Sequence, residues 1–300
     1  MPSHAAFGFG LARSLDFDTA VTCFTEFCEL LSQAVGCTFF PHHALSYAEL
    51  SAGLERGELG LAWTPPIPAI DLQDRNAATF LVAPVRKGST FYHSAFITRP
   101  TTEGPRSDRV ISSPSRLAEL KGKRVGWVDR ESATGYLLPR MYLSGEGYDL
   151  SAFFGQEHFL GSHNAVIDSV VRGAVDVGAT FCKLETHSGR IVQAAWTASD
   201  GTSRAPIEVI ATVGPIPNDV ILASSKLPPE LRTRVFRWLL DPDTKRAREV
   251  LVELVRAESC RATTPSHYEP LRRMIAAAAS HGEAPWRTKS SPSWRPPPVG

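Results

Sequence analysis

Short apolar runs alternate along this chain with longer stretches whose apolar positions recur every three or four residues. That is the pattern of strands separated by amphipathic helices. Ala5–Leu11 predicts a first strand. From Asp18, a suitable N-cap, Val21, Phe24, Cys28, Leu31 and Val35 fall on one helical face, and Gly36 ends that helix. Cys37–Phe40 predicts the next strand, and Ser46 caps a helix with Tyr47, Leu50 and Leu54 inward that stops at Gly57. Leu59–Trp63 predicts a third strand, broken off by Pro65, Pro66 and Pro68. This β-α-β-α-β order predicts an open parallel sheet, with ligand chemistry beyond the carboxyl ends of its strands.

Ala78–Arg86 and Phe91–Thr98 predict two further strands, the second crossing into another lobe, and Thr101–Ser107 reads as an exposed loop. Ile207–Val213 is expected to cross back. Pro228-Pro229-Glu230 starts a helix with Leu231, Val235, Trp238 and Leu239 inward, Thr244–Ala257 predicts another, and His267–Ala279 a last one. The fold class expected is α/β: two lobes, each a mostly parallel sheet flanked by helices, with two crossover strands as a hinge. Residues 1–98 and 209–283 would form a discontinuous first lobe and 99–208 the second. The proline-rich, apolar-poor segment 284–300 would be a disordered tail.

The chemistry concentrates between Leu120 and Ala179. Arg124–Val128 is an apolar run, Ser132, Ala133, Thr134 and Gly135 make a small polar turn, and a helix follows from about Tyr136. Some twenty residues on, Phe159-Leu160 leads into Gly161-Ser162-His163, and Val166, Ile167, Val170 and Val171 form one helical stripe. Two helix starts that present hydroxyls and free backbone N–H groups make a trap for a small anion. Ser132 would also serve as an ordinary helix cap, and a capping position is where the donors are.

Composition narrows the functional classes. The chain has 300 residues, 43% of them hydrophobic, and a formal net charge of +1, which gives no basic face for nucleic acid. No apolar run approaches the ~20 residues of a membrane span. The five cysteines (Cys23, Cys28, Cys37, Cys182 and Cys260) lack a C-x-x-C pair and read as ordinary buried thiols. His42-His43 is a strand dipeptide whose side chains point to opposite faces, so no metal site is expected, and no cofactor motif is present. Met1-Pro2-Ser3-His4 has no basic n-region or apolar h-region. The expectation is therefore a cytoplasmic protein as written, or a periplasmic one if a leader has been removed. A monomer is expected.

These segments resemble the solute-binding proteins of phosphonate, phosphite and phosphate ABC importers, which have the type II periplasmic-binding-protein fold. The resemblance rests on Leu120-Lys121-Gly122-Lys123, Asp129 through Pro139, and Gly161-Ser162-His163 through Val177. Gly57 through Trp63, Tyr92-His93-Ser94 and Gly214 through Asp219 follow the family in order. It implies a receptor that closes by hinge motion on a small oxyanion and hands it to an ABC permease. It further implies that Ser132, Thr134 and Gly135 contact the ligand, and that His163 donates to it, more strongly if cationic. By the same carry-over Tyr92 would touch the ligand from the first lobe, and the Asp219 carboxylate would accept from a protonated ligand oxygen.

Three positions depart from the family pattern. Ala133 lacks a hydroxyl that the family has, a loss of the order of 1 kcal/mol. Thr64 stands where the family has tyrosine. Lys183 stands where aminophosphonate binders carry a glutamate, which implies that aminoethylphosphonate is not favoured and that phosphate, phosphite or a ligand with a second negative group is. Asp176 reads as a structural strand-end residue. Two other uses of the fold remain open: a cytosolic sensor read by a regulator, or a lyase-type enzyme drawing on His163, Asp219, Glu185 and Cys182.

Overall fold

The computed structural model describes residues 6–12, 17–100, 114–130, 132–185, 188–198, 202–255 and 257–281. The expected loop at 101–107, the expected tail and most of the N-terminal tetrapeptide's neighbourhood lie outside them. The chain divides into two compact units. Of the described residues, one gathers those up to Thr90 together with Pro217–Glu269, and the other gathers Phe91–Ile216 with Pro270–His281.

The first unit holds β1 (Ala6–Ala12), α1 (Phe17–Val35), β2 (Thr38–Ala44), α2 (Tyr47–Arg56), β3 (Leu59–Thr64), α3 (Pro66–Asp74) and β4 (Ala78–Val85). Ser46 caps α2 by accepting from the Glu49 N–H, as its sequence suggested, and α2 ends at Gly57. α1 begins at Phe17, so Asp18 lies inside the helix. α3 is an addition to the expectation: the prolines that read as a break instead start a helix, with Pro66 at a position whose N–H has no partner to lose.

The rest of the first unit is β11 (Val220–Ser224), α6 (Pro229–Leu240), α7 (Lys245–Val255) and β12 (Ser259–Ala262). Its sheet runs β12-β4-β11-β3-β1-β2. β1 pairs in parallel with β2 and β3, whereas β11 is antiparallel to β3 and β4, and β12 to β4. Phe9, Phe24, Phe27, Leu31, Val235 and Trp238 fill the core between this sheet and α1, α6 and α7. Burying each such side chain is worth roughly 1.5–3 kcal/mol.

The second unit contains β5 (Phe91–Thr98), β6 (Arg124–Trp127), α4 (Leu138–Gly145), β7 (Gln156–Phe159), α5 (His163–Arg172), β8 (Val177–Leu184), β9 (Ile191–Ala194), β10 (Glu208–Pro217) and α8 (Glu269–Ser280). The sheet order is β10-β5-β8-β6-β7, with β9 also on β8. β6 is parallel to β7 and β8, while β5 and β9 are antiparallel to β8. Both sheets are thus mixed, with parallel pairing confined to the strands that helical crossovers connect.

Alternate residues of β5 serve opposite faces of this sheet. Phe96 joins Trp127 and Leu143 on one, and Ala95 and Ile97 join Ile167 and Val170 on the other. Gly178 lets α5 approach β8 closely, since a Cβ there would lie 2.5 Å from Val166 Cγ1. The sequence reading assigned residues 209–283 to the first lobe. α8 instead packs in the second unit: Met274 lies against the core of Trp127 and Leu143, and its alanine face meets Gly145.

Asp176 has the structural role expected of it. Its carboxylate accepts from Arg124 Nη2 (2.7 Å), Nε (3.1 Å) and backbone N–H (3.0 Å), which ties the starts of β6 and β8 together. Hydrogen bonding to the Arg124 guanidinium holds this carboxyl down at about 2.

Candidate functional site

The first expected anion turn lies directly after β6. Ser132 is extended and caps a short π turn, Ala133–Leu137, that runs straight into α4. Ser132 Oγ accepts from the Gly135 N–H at 3.1 Å. The capping role is therefore real, and the hydroxyl proton is still available to donate. Thr134 and Ala133 are buried in the same turn, and their N–H groups sit where no intrahelical acceptor precedes them. Gly135 is required by close approach: a Cβ there would sit 2.4 Å from Val128 Cγ2 and 2.8 Å from Ser132 Oγ.

The second turn starts α5. Ser162 caps it by accepting from the Ala165 N–H, and His163 is the first helical residue, only 4% exposed. His163 Nδ1 lies 2.8 Å from Thr180 Oγ1, and its ring packs edge-on to Phe181. Burial pushes the imidazole down to about 4, against a smaller opposing effect of Asp129. Of the two forms the sequence reading left open, this favours the weaker, neutral donor: at neutral pH His163 is uncharged. If Thr180 donates its hydroxyl proton to Nδ1, the ring proton sits on Nε2, where it can serve as a neutral donor.

The two turns are joined twice. The Val128 N–H donates to Gly135 O (3.2 Å) in the first, and Val128 O accepts from the Gly161 N–H (2.7 Å) leading into the second. From β5, the fully buried Ser94 hydroxyl reaches Thr134 O at 2.6 Å and Thr180 O at 3.3 Å. Thr180 in turn holds His163. Ser132, Ala133, Thr134, Gly135 and His163 therefore share one hydrogen-bonded scaffold within the second unit.

Sequence reasoning named Ser94 only as part of the Tyr92-His93-Ser94 match, gave it no role, and passed over Thr180. Their signal was available: each is a polar residue inside an otherwise apolar strand run, where most buried hydroxyls are hydrogen-bonded.

Lys183 is on β8 in the same unit, 5% exposed and opposite Gln193. Its charge adds to burial in lowering His93 to about 4. Tyr92 is half-buried on β5, a strand of the second sheet rather than of the first lobe where the resemblance put it.

Asp219 and Thr64 are in the first unit. Asp219 lies at the head of β11 with Arg86 Nη2 3.2 Å from its Oδ2. Thr64 ends β3, 1% exposed, with an Oγ1 that has no hydrogen-bond partner among the described residues. Burial raises the fully buried Cys182 thiol to about 12, which suppresses the thiolate, and Glu185 is occupied by Ser188 and Arg190.

The family model for "ABC transporter, phosphonate, periplasmic substrate-binding protein" matches residues 9–268. The chain belongs to that family. Among curated members, the probable ABC transporter phosphite binding protein PhnD1 of Prochlorococcus marinus (strain MIT 9301) is 26% identical over 136 residues. That match spans 45% of this chain and 44% of the relative, so less than half of the relative's length is aligned.

Solved structures extend the likeness in fold to nearly the whole binding-protein chain. XAC2383 from Xanthomonas citri, bound to ATP, superposes with a TM-score of 0.66 at 18% identity over 92% of this chain and 98% of that one. PhnD1 from Prochlorococcus marinus in complex with methylphosphonate gives 0.60 at 18% over 90% and 97%. The binding protein component of an ABC phosphonate transporter from Pseudomonas aeruginosa gives 0.57 at 19% over 93% and 88%. At such identities the agreement is one of fold, and it bears out the two-lobed type II architecture. Among the described residues no helix is long and apolar enough to cross a membrane.

Proposed function

We propose that this member of the phosphonate-binding family is a receptor for a small tetrahedral oxyanion, phosphite, phosphate or a simple phosphonate, which it delivers to an ABC permease. The observation that carries this reading is the joining of the two turns through Val128 and through Ser94 and Thr180. In this reading the helix-start N–H groups, two hydroxyls and a neutral imidazole carried on this one scaffold act together as the donor set a phosphorus oxyanion needs. Thr134 and His163 are buried donors whose geometry is fixed before any ligand arrives, so little ordering is required on binding. Tyr92 of β5, in the same unit, is a further contact of this reading.

In this reading Lys183, buried on β8, faces the ligand, where its charge would repel a second ammonium, so aminoethylphosphonate is the phosphonate this receptor should refuse. PhnD1 is described as a phosphite binding protein and has been seen with methylphosphonate, and both anions suit the same donor set.

A thermal-shift screen tests the proposal. Phosphite, phosphate or methylphosphonate at a hundredfold excess over its dissociation constant should stabilise the protein by about 2.7 kcal/mol. Aminoethylphosphonate should give no comparable shift. Absence of a shift with all three oxyanions, or a larger one with aminoethylphosphonate, would contradict the reading.

A further inference from the structure

Lys183 is buried within β8, and the strand register fixes both its level and its face. β6 ends at Trp127, and its Val125 and Gly126 pair with Val177 and Gly178, so β8 from Thr180 to Leu184 runs past the carboxyl end of β6. That is the edge from which the two turns follow β6 and β7. There β5 holds β8 at Cys182, and β9 holds it at Cys182 and Lys183, so the backbone of the lysine is fixed from both sides.

Side chains alternate along a strand. Thr180 and Cys182 point to the α5 face of the sheet, where Thr180 meets His163 and Cys182 joins Ala95, Ile97 and Ile167. Phe181 and Lys183 therefore point to the other face. Ser94 is the partner of Phe181 across the β5–β8 ladder and shares that face, where its hydroxyl reaches Thr134 O of the first turn at 2.6 Å. The two turns are thus attached at the levels of Thr180 and Phe181. Lys183 lies two residues further along, about 7 Å at ~3.4 Å per residue. Its charge is offset from the donors that would grip a phosphorus oxyanion, on the face of the first turn.

We propose that Lys183 is the counter-ion for a second anionic group on the ligand, so that the phosphonates this receptor selects carry a carboxylate on a short carbon chain. The inference rests on the receptor reading above and narrows its substrate class. His93, the other titratable residue of the β5–β8 ladder that could be cationic, is lowered to about 4 by burial and then by Lys183, so it is uncharged at neutral pH and the ladder's positive charge is that of the lysine. A carboxylate that meets the ammonium adds a charge-assisted hydrogen bond. An uncharged group of the same shape adds a weaker one, and a second ammonium is repelled.

The test is calorimetry at neutral pH with phosphonoacetate and phosphonopropionate, each against its own carboxamide, which has the same shape without the second charge. Wild type should bind each carboxylate about tenfold or more tightly than its amide. Lys183→Met should bring that ratio to about one, and Lys183→Arg, which keeps a cation, should preserve it. Equal affinity of the wild type for carboxylate and amide, a comparison that needs no variant to fold, overturns the assignment. So does a ratio that survives in Lys183→Met, which would mean that the lysine grips the phosphorus group instead. If wild type binds methylphosphonate but does not prefer the carboxylates, this inference fails and the receptor reading stands. If it binds no phosphonate at all, the reading itself is what fails.

Discussion

His163 ties the stability of the second unit to pH in a way that can be worked through. Its imidazole is 4% exposed and lies at about 4, mainly through burial, against an ordinary value of 6.5. The folded-state value is below the unfolded one, so between these limits the unfolded chain binds the extra proton. Stability is therefore full above about 6.5 and is lost as pH falls towards about 4. Between pH 7 and pH 4.5 the linkage amounts to roughly 2 kcal/mol for this single ring. His93 adds a loss of the same sign, since it too lies at about 4.

His163→Asn removes the titrating ring while keeping a polar group near Thr180. It should be less stable than wild type at neutral pH but lose roughly 2 kcal/mol less on acidification. The assay is urea unfolding at both pH values, followed by fluorescence. The wild-type midpoint should move about 1 M further than that of the variant. Equal midpoint shifts would show that His163 is not the neutral, desolvated donor described here.

Asp176→Asn should destabilise the second unit by about 1 kcal/mol at neutral pH, a figure discounted for the partial exposure of the Arg124 pair. Because the Asp176 carboxyl is held down at about 2, its contribution is present above its ordinary value and disappears as pH falls through about 2. Melting curves of variant and wild type should accordingly converge at that acidity, and a gap that persists there would contradict the ion-pair account. Gly135→Ala forces a methyl to within 2.4 Å of Val128 Cγ2. It should cost roughly 1–3 kcal/mol and abolish the oxyanion-induced thermal shift, whereas a variant that melts and binds like wild type would mean the turn is more pliable than its packing implies.

Much of this molecule was legible in its sequence because the local signals agreed with the tertiary packing. Ser46 and Gly57 bracket α2 as their chemistry suggests, and the buried face of α6 is the one its periodicity gives. The prolines after Thr64 misled, because a proline at the first turn of a helix looks in sequence like a terminator. Antiparallel β11 and β12 depend on strand neighbours far apart in the chain, which no local period encodes. At the site, the two turns were readable as donors, but the groups that join them were not. Ser94 and Thr180 look like minor polar interruptions until the pairing of β5 with β8 sets their hydroxyls beside Thr134 and His163. The neutrality of His163 is likewise a property of burial.

The central claim is that both turns grip one oxyanion through a shared scaffold, and calorimetry of methylphosphonate binding to wild type, Ser132→Ala, His163→Ala and Thr180→Val tests it most directly. One-to-one binding by wild type should weaken by about 1.5–3 kcal/mol, tenfold or more, in His163→Ala, which removes a donor to a charged acceptor. Ser132→Ala and Thr180→Val should each weaken it as well, the latter without touching the ligand. Wild-type affinity retained in all three variants would contradict the account.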